Sequence, residues 1–268
     1  MGQKDMAEKL LADYNDVFAD IVNVLLFDGR DEVSEDNLVE TKVKSQYKAD
    51  DSKLHEQERD VAKILKKDNV KIVLLGLENQ TAIDADIPLR CLAYDGASYR
   101  SQLLNKSAER YPVITVVLYF GMNRWDKSRH LSETVHVPEI WKPYFNDYQA
   151  HVFEIAYLSP EQVKMFKSDF GIVADYFVQK RMTGDYIGSS EDIRHIDEVM
   201  KLLAVFADKR FMDNMVISSS KRRPKNMCEV LDRIEEKGRA EGRTEGRIEG
   251  HKQGFEQGME IGMLKGQI

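Results

Sequence analysis

Cysteine is scarce in this chain of 268 residues: only Cys91 and Cys228, far apart and in no metal-like spacing. That excludes a disulfide scaffold and fits a reducing compartment. The six histidines are scattered without a His-x3-His pair, which argues against zinc. No apolar run reaches membrane-spanning length, and the N-terminus lacks the apolar core of a signal peptide. A cytoplasmic protein with no membrane partner is expected. Positive charge is also short: 39 Lys and Arg against 46 Asp and Glu leave a net charge of −7. That counts against a constitutive nucleic-acid binder, since phosphate contacts need clustered cations. Acidic metal ligands would add to the negative count, however, and a local basic groove can exist on an acidic protein.

Apolar residues make up 42% of the chain and charged residues 32%, which suits one sizeable globular domain with an appendage. The stretch Asp60 to Gln80 reads as two strands and a polar turn. Asp60–Leu65 is the first strand, Lys66–Asn69 the turn, and Val70–Gln80 the second, mostly apolar, strand. Side chains alternate along a strand, so Glu78 and Gln80 share a face and Asn79 points away. An antiparallel return brings Asp60 towards Glu78. Two carboxylates and an amide oxygen at the open end of a hairpin are hard ligands that suit Mg2+ or Mn2+.

An Asp, a hairpin and Glu-x-Lys resemble the core of the PD-(D/E)XK nucleases; here Glu78-Asn79-Gln80 carries Gln in the Lys position. Five segments together resemble one branch, the bacterial Rpn-type recombination-promoting nucleases or PD-(D/E)XK transposases. They are Asn15–Asp20, His55–Asp60, Pro88–Arg90 with Tyr94–Tyr99, Glu78–Gln80, and Val173–Phe177. The resemblance spans roughly residues 10 to 210. It implies a restriction-endonuclease-like α/β fold, a mixed sheet flanked by helices. It also implies a DNA partner and metal-dependent cleavage, with Asp60 and Glu78 as ligands of Mg2+ or Mn2+ and Gln80 as a third catalytic residue.

Before the hairpin, residues 5 to 27 carry apolar side chains at helical spacing, with Asp16, Asp20 and Asn23 on a second face. That face either lends an acidic side chain to the metal site, as the resemblance implies, or is simply solvated. Residues 28 to 53 read as a loop with one edge strand near Val43–Tyr47. Glu58 is an auxiliary ligand or an exposed charge. After the hairpin, Pro88 suits the first turn of a helix running to about Leu104, with Arg90, Tyr94 and Ser98 one turn apart. Arg90 either clamps a phosphate or pairs with Asp86. Strands are expected over 111–121 and 151–158, and helices over 159–181 and 190–208, the first with a Ser159 cap.

The tail repeats glycine every fourth residue from Gly238 to Gly266, with one row of Arg (239, 243, 247) and one of Glu (241, 245, 249). Each interior helical glycine costs about 0.8–1.0 kcal/mol relative to Ala. The tail is therefore disordered alone or helical against a partner, which would make it a handle for homo-oligomers. Three parts are expected: a nuclease-like core over 1–158, a helical cap over 159–217, and a linker with the glycine tail over 218–268. A catalytically degenerate DNA-binding or oligomerising protein of the same fold is the other reading.

Overall fold

Residues 9–41, 44–48, 54–68, 70–105, 109–206 and 224–265 are described by the structure, a computed structural model. The apolar run Val70–Gln80 forms β5, the middle strand of a five-stranded mixed sheet. On one side it pairs antiparallel with β4 (Val61–Lys67), which pairs with the edge strand β1 (Leu38–Glu40). On the other it pairs parallel with β6 (Val113–Tyr119), and β6 pairs parallel with β7 (His151–Glu154). The helices are α1 (Asn15–Phe27), α2 (Ile87–Leu104), a short α3 (Leu131–Thr134), α4 (Pro160–Met165), α5 (Phe170–Thr183), α6 (Ile196–Phe206) and α7 (Met227–Lys265). A separate antiparallel pair joins β2 (Lys44–Lys48) to β3 (Leu54–Glu58). This is a mixed α/β architecture.

Alternation along β6 sorts its side chains between two layers. Val117 and Tyr119 pack with Ile87 and Cys91 of α2, Trp125 and Val152. Phe120, just past the strand, stacks against Phe170 and Phe177 of α5, with ring centroids 6.4 and 5.2 Å away. On β4, Lys63 is fully buried and points at α1, its ammonium 5.7 Å from the Phe18 ring centroid. So α1 and α2 lie against opposite faces of the sheet; α1 is buried at every position from Val17 to Leu25, while the buried face of α2 joins Ile87 and Cys91 to the polar Tyr94, Asp95 and Ser98.

Several elements are shorter than their sequence pattern suggests, and at three of the breaks a distant side chain takes a backbone group. The helix expected over 5–27 breaks at residues 13–14: the Lys63 ammonium donates to the Asp13 carbonyl at 2.7 Å, which would otherwise serve the helix. The helix expected over 159–181 starts with a Ser159–Gln162 capping box but breaks between α4 and α5. There the Asp20 carboxylate accepts from the amides of Lys167 (2.9 Å) and Ser168 (2.7 Å). The strand expected over 151–158 stops at Glu154, and Arg181 donates to the Ala156 carbonyl at 2.6 Å. The helix expected over 190–208 begins only at Ile196, and residues 207–208 lie outside the described residues.

The hairpin turn is tighter than its polar sequence suggests. Lys66 and Lys67 still pair with Lys71 and Val70, and Asp68 adopts a left-handed φ of 51°. The edge strand of the main sheet is Leu38–Glu40, because buried Leu38 pairs with Leu65. The strand expected near 43–47 exists, but in the separate β2–β3 pair.

The chain divides into two compact units, Met1–Ile187 with Asp197–Val205, and Gly188–Ile196 with Phe206–Ile268. The first contains the sheet. In the second, the Ile193 amide donates to the Lys225 carbonyl at 2.8 Å and the Cys228 amide to Ser189 at 3.1 Å. A side chain at Gly188 would sit 2.8 Å from the Met227 carbonyl carbon, so glycine permits that approach. The glycine tail is helical as far as Lys265, part of the 39-residue α7, and Gly266 lies outside the described residues. At Gly238, Gly242, Gly246 and Gly250 an added Cβ would meet nothing within 4 Å. No helix among the described residues is long and apolar enough to cross a membrane.

Gly76 lies on β5 between Ala62 and Thr115, with the Arg59 side chain crossing directly over it. A Cβ there would fall well inside contact distance of Arg59 Cδ and Nε, which are buried and hydrogen-bonded in place. Gly76→Ala is expected to destabilise the protein by about 1–3 kcal/mol, the usual range for overpacking a filled core. Urea denaturation of the two proteins measures this.

Candidate functional site

Asp60 precedes β4 by one residue. The first pair of the ladder is Val61 with Leu77, so Asp60 arrives level with Glu78 at the end of β5. The Asn79 amide donates to Asp60 Oδ2 at 2.8 Å, which holds the carboxylate across the open end of the hairpin. The other oxygen, Oδ1, pairs with the Lys9 ammonium at 3.0 Å.

Glu78 faces α2 and is 2% exposed. Its Oε1 receives three donors: the Tyr94 hydroxyl at 3.1 Å, the Gln80 amide at 3.3 Å and the Arg90 guanidinium. Its Oε2 is buried and meets no hydrogen-bond partner among the described residues, and the same holds for both ends of the Asn79 side-chain amide. Burial, followed by the negative charge of Asp60, pushes the Glu78 carboxyl up to about 7, against the pull of Arg90, Tyr94 and Lys9. Burial also raises the Tyr94 phenol to about 12, so it stays a donor to Glu78 at neutral pH.

Arg90 is half-buried on α2. Beyond Glu78 it pairs with Asp84 at 2.9 Å and donates to the Tyr94 oxygen at 3.3 Å. The helical partner expected from sequence, Asp86, is replaced by Asp84, in the turn before the helix, and by Glu78 on the sheet. Asp16 stands half-buried in the first turn of α1. Asp20 is buried and engaged by the Lys167 and Ser168 amides, so its job here is to hold the break before α5. Asn23, on the same face, bonds the Val33 amide and carbonyl, both at 2.9 Å, and pins the chain as it leaves α1. The structure thus brings Asp60, Glu78, Gln80 and Arg90 together and places Asp20 elsewhere. The side chain of Glu58 lies outside the described residues.

A second layer supports this group. Arg59, next to Asp60, is buried and donates to Thr115 Oγ1 (2.9 Å), Ser98 Oγ (2.9 Å) and Asp95 Oδ1 (2.5 Å). Asp95 also accepts from Thr115 at 2.7 Å and from the Tyr148 hydroxyl at 2.7 Å. The Arg59 guanidinium lies 5.7 Å from the Tyr94 ring centroid. The one-turn spacing of Arg90, Tyr94 and Ser98 holds signal for this face of α2, since all three point at the network. Nothing in the local sequence marks Lys9, which reaches Asp60 across 51 residues.

Chemically, the pair fits a small divalent cation. Both carboxylates are hard ligands, Glu78 Oε2 is buried without a partner, and Asp60 and Glu78 still repel each other despite two nearby cations. Among the described residues no group of three or more His, Cys, Asp or Glu side chains is arranged for a metal, so these two acids would act with the amide oxygen of Gln80, on the same face as Glu78, and with water.

A family model described as "Putative transposase, YhgA-like" matches residues 33–209. Comparison with curated proteins and with solved structures gives no match.

The raised Glu78 pKa has a consequence for stability without metal. The folded protein holds the Glu78 proton up to about 7, whereas the unfolded chain releases it near 4.5. This contribution is full below the lower value and is lost as pH rises through the upper one, on the order of 3 kcal/mol across that window. In EDTA, the wild-type urea midpoint should fall between pH 5 and pH 8. Glu78→Gln, which cannot ionise, should show a visibly flatter profile; parallel profiles for the two proteins would contradict the assignment.

Proposed function

This chain belongs to the YhgA-like transposase family, and on that premise we propose that it is a metal-dependent endonuclease that hydrolyses DNA phosphodiester bonds. The observation that carries the reading is the buried, unpartnered Oε2 of Glu78 beside Asp60 at the end of β5. On this reading the five-stranded sheet is the core of a restriction-endonuclease-like domain.

Asp60 and Glu78 would hold the cation, Mg2+ or Mn2+. Bound there, it would supply Lewis acidity to the scissile phosphate and the attacking water. In the reaction a water oxygen forms a bond to phosphorus while the bond to the leaving oxygen breaks. The attacking water gives up one proton to solvent, and the leaving oxygen takes one from solvent and departs as a hydroxyl. The Asn79 amide fixes the Asp60 carboxylate, so its free lone pairs face the opening. Tyr94 and Gln80 hold Glu78 in one orientation. The Gln80 oxygen is left free to accept from the attacking water, which a neutral amide can do but a lysine cannot. Arg90 is half-exposed and can turn from Glu78 to a phosphate oxygen once a cation takes its place.

Nicking of supercoiled plasmid tests this. Cleavage should require Mg2+ or Mn2+ and stop in EDTA. Asp60→Asn and Glu78→Gln should each lose at least about 100-fold in rate, the scale of removing a directly acting group, with unchanged circular dichroism. A gel shift without nicking would instead favour a DNA-binding protein of the same family that does not cut.

The tail fits self-association. Helix α7 presents an uncovered glycine face, an exposed Ile248, and Arg and Glu rows that an antiparallel second copy would match. With little apolar area available, the contact is expected to be weak and salt-dependent. Deleting everything after Lys237 should lower the mass found by light scattering at low salt, with plasmid nicking retained. Equal masses would make the tail an appendage without this role.

A further inference from the structure

The carboxylate pair is met by two cations from opposite faces of the sheet. Arg90 comes from α2 and is anchored twice, to Glu78 and to Asp84. Lys9 comes from the helical turn at 9–12, on the α1 side, and makes one ion pair, to Asp60 at 3.0 Å. Its side chain is 21% exposed, so it is neither buried as a core group nor free as a surface one.

A built chain of contacts aims it there. Lys63, fully buried on β4, donates to the Asp13 carbonyl at 2.7 Å, and its ammonium lies 3.5 Å from Asp13 Oδ1. The Asp13 amide in turn donates to the Lys9 carbonyl at 3.0 Å. Burying an ammonium completely is costly unless it is paired and hydrogen-bonded. Here the buried charge of Lys63 holds the break at 13–14, and that break turns residues 9–12 over the end of the hairpin. Asn79 alternates with Glu78 on β5 and so faces this same side, and neither end of its side-chain amide is partnered. A cation and an unsatisfied amide therefore border Asp60 where an anionic strand would lie.

We propose that Lys9 is a catalytic residue: its ammonium passes from Asp60 to the phosphate of the bound strand and neutralises the charge that develops on the phosphoryl oxygens. This rests on the hydrolytic reading above. Lys9 keeps its protons throughout; the bonds made and broken are those of the hydrolysis already described. Preorganised positive charge at the developing oxyanion is a large catalytic term, because it acts more strongly on the transition state than on the bound substrate. Lys9 also lies outside the matched span of 33–209, so the family model does not assign it.

Steady-state plasmid cleavage with Mn2+ separates the outcomes. Lys9→Ala should lower kcat about 100-fold while changing KM less than about threefold, the pattern of a group that acts in the transition state. Lys9→Arg should keep at least about a tenth of wild-type kcat, because the charge remains. Gln80 touches Glu78 in the same opening, so adding Gln80→Lys to Lys9→Ala brings an ammonium back from the sheet side and should recover at least tenfold, on the order of one restored charge contact. Wild-type kcat in Lys9→Ala overturns the proposal alone. So does an equal loss in the Ala and Arg variants with no recovery by Gln80→Lys, which marks a structural lysine. If the wild type cleaves with neither Mg2+ nor Mn2+, the hydrolytic reading fails and the role of Lys9 falls with it.

Discussion

Everything at the end of β5 depends on the buried ion pair between Arg59 and Asp95. Arg59 leaves the backbone beside Asp60, crosses Gly76 and reaches Thr115 on β6 and both Ser98 and Asp95 on α2. One side chain thereby ties two strands to a helix. An isolated buried guanidinium would be prohibitively costly, and a pair alone is often no better than an apolar contact. Here the polar atoms around it are satisfied by Thr115, Ser98 and Tyr148, which makes the network directional. The direction matters: it fixes the rotation of α2, so that Tyr94 and Arg90, on the same face, point at Glu78.

The site sits where that rotation meets the hairpin. A carboxylate that is almost fully desolvated and next to a second one stays ionised poorly, and Glu78 does so only with the help of Arg90, Tyr94 and Lys9. Fold stability and site chemistry therefore pull in opposite directions at this residue. The protein would be better held together with Glu78 protonated or replaced by an amide, while holding a cation calls for the charged form. Such a conflict between local stability and local chemistry is characteristic of functional positions.

The match to the YhgA-like transposase family covers the sheet and the helices α2 to α6 and stops short of the 9–12 turn, α1 and α7. The stretches on either side of the match, residues 9–32 and α7, are different in kind. The first enters the site through Lys9. The second is a long helix whose glycines forgo side-chain packing, so its helicity comes from the backbone and from pairs such as Arg239 with Glu235.

The sequence by itself determined what depends on neighbours within a few residues. The apolar run from Val70 makes a strand, Pro88 starts a helix that lasts to Leu104, and Ser159 caps another through Gln162. The approach of Asp60 to Glu78 also follows from the alternation and closure of one short hairpin. Tertiary structure decided whatever a distant side chain could take from the local pattern. Lys63 breaks the first helix at Asp13, Asp20 breaks the helix at Lys167, and Glu78 draws Arg90 away from Asp86. It also decided that Lys9 stands beside Asp60. A backbone carbonyl or a guanidinium takes the partner that satisfies it best once buried, and that partner is set by which elements pack together rather than by spacing along the chain.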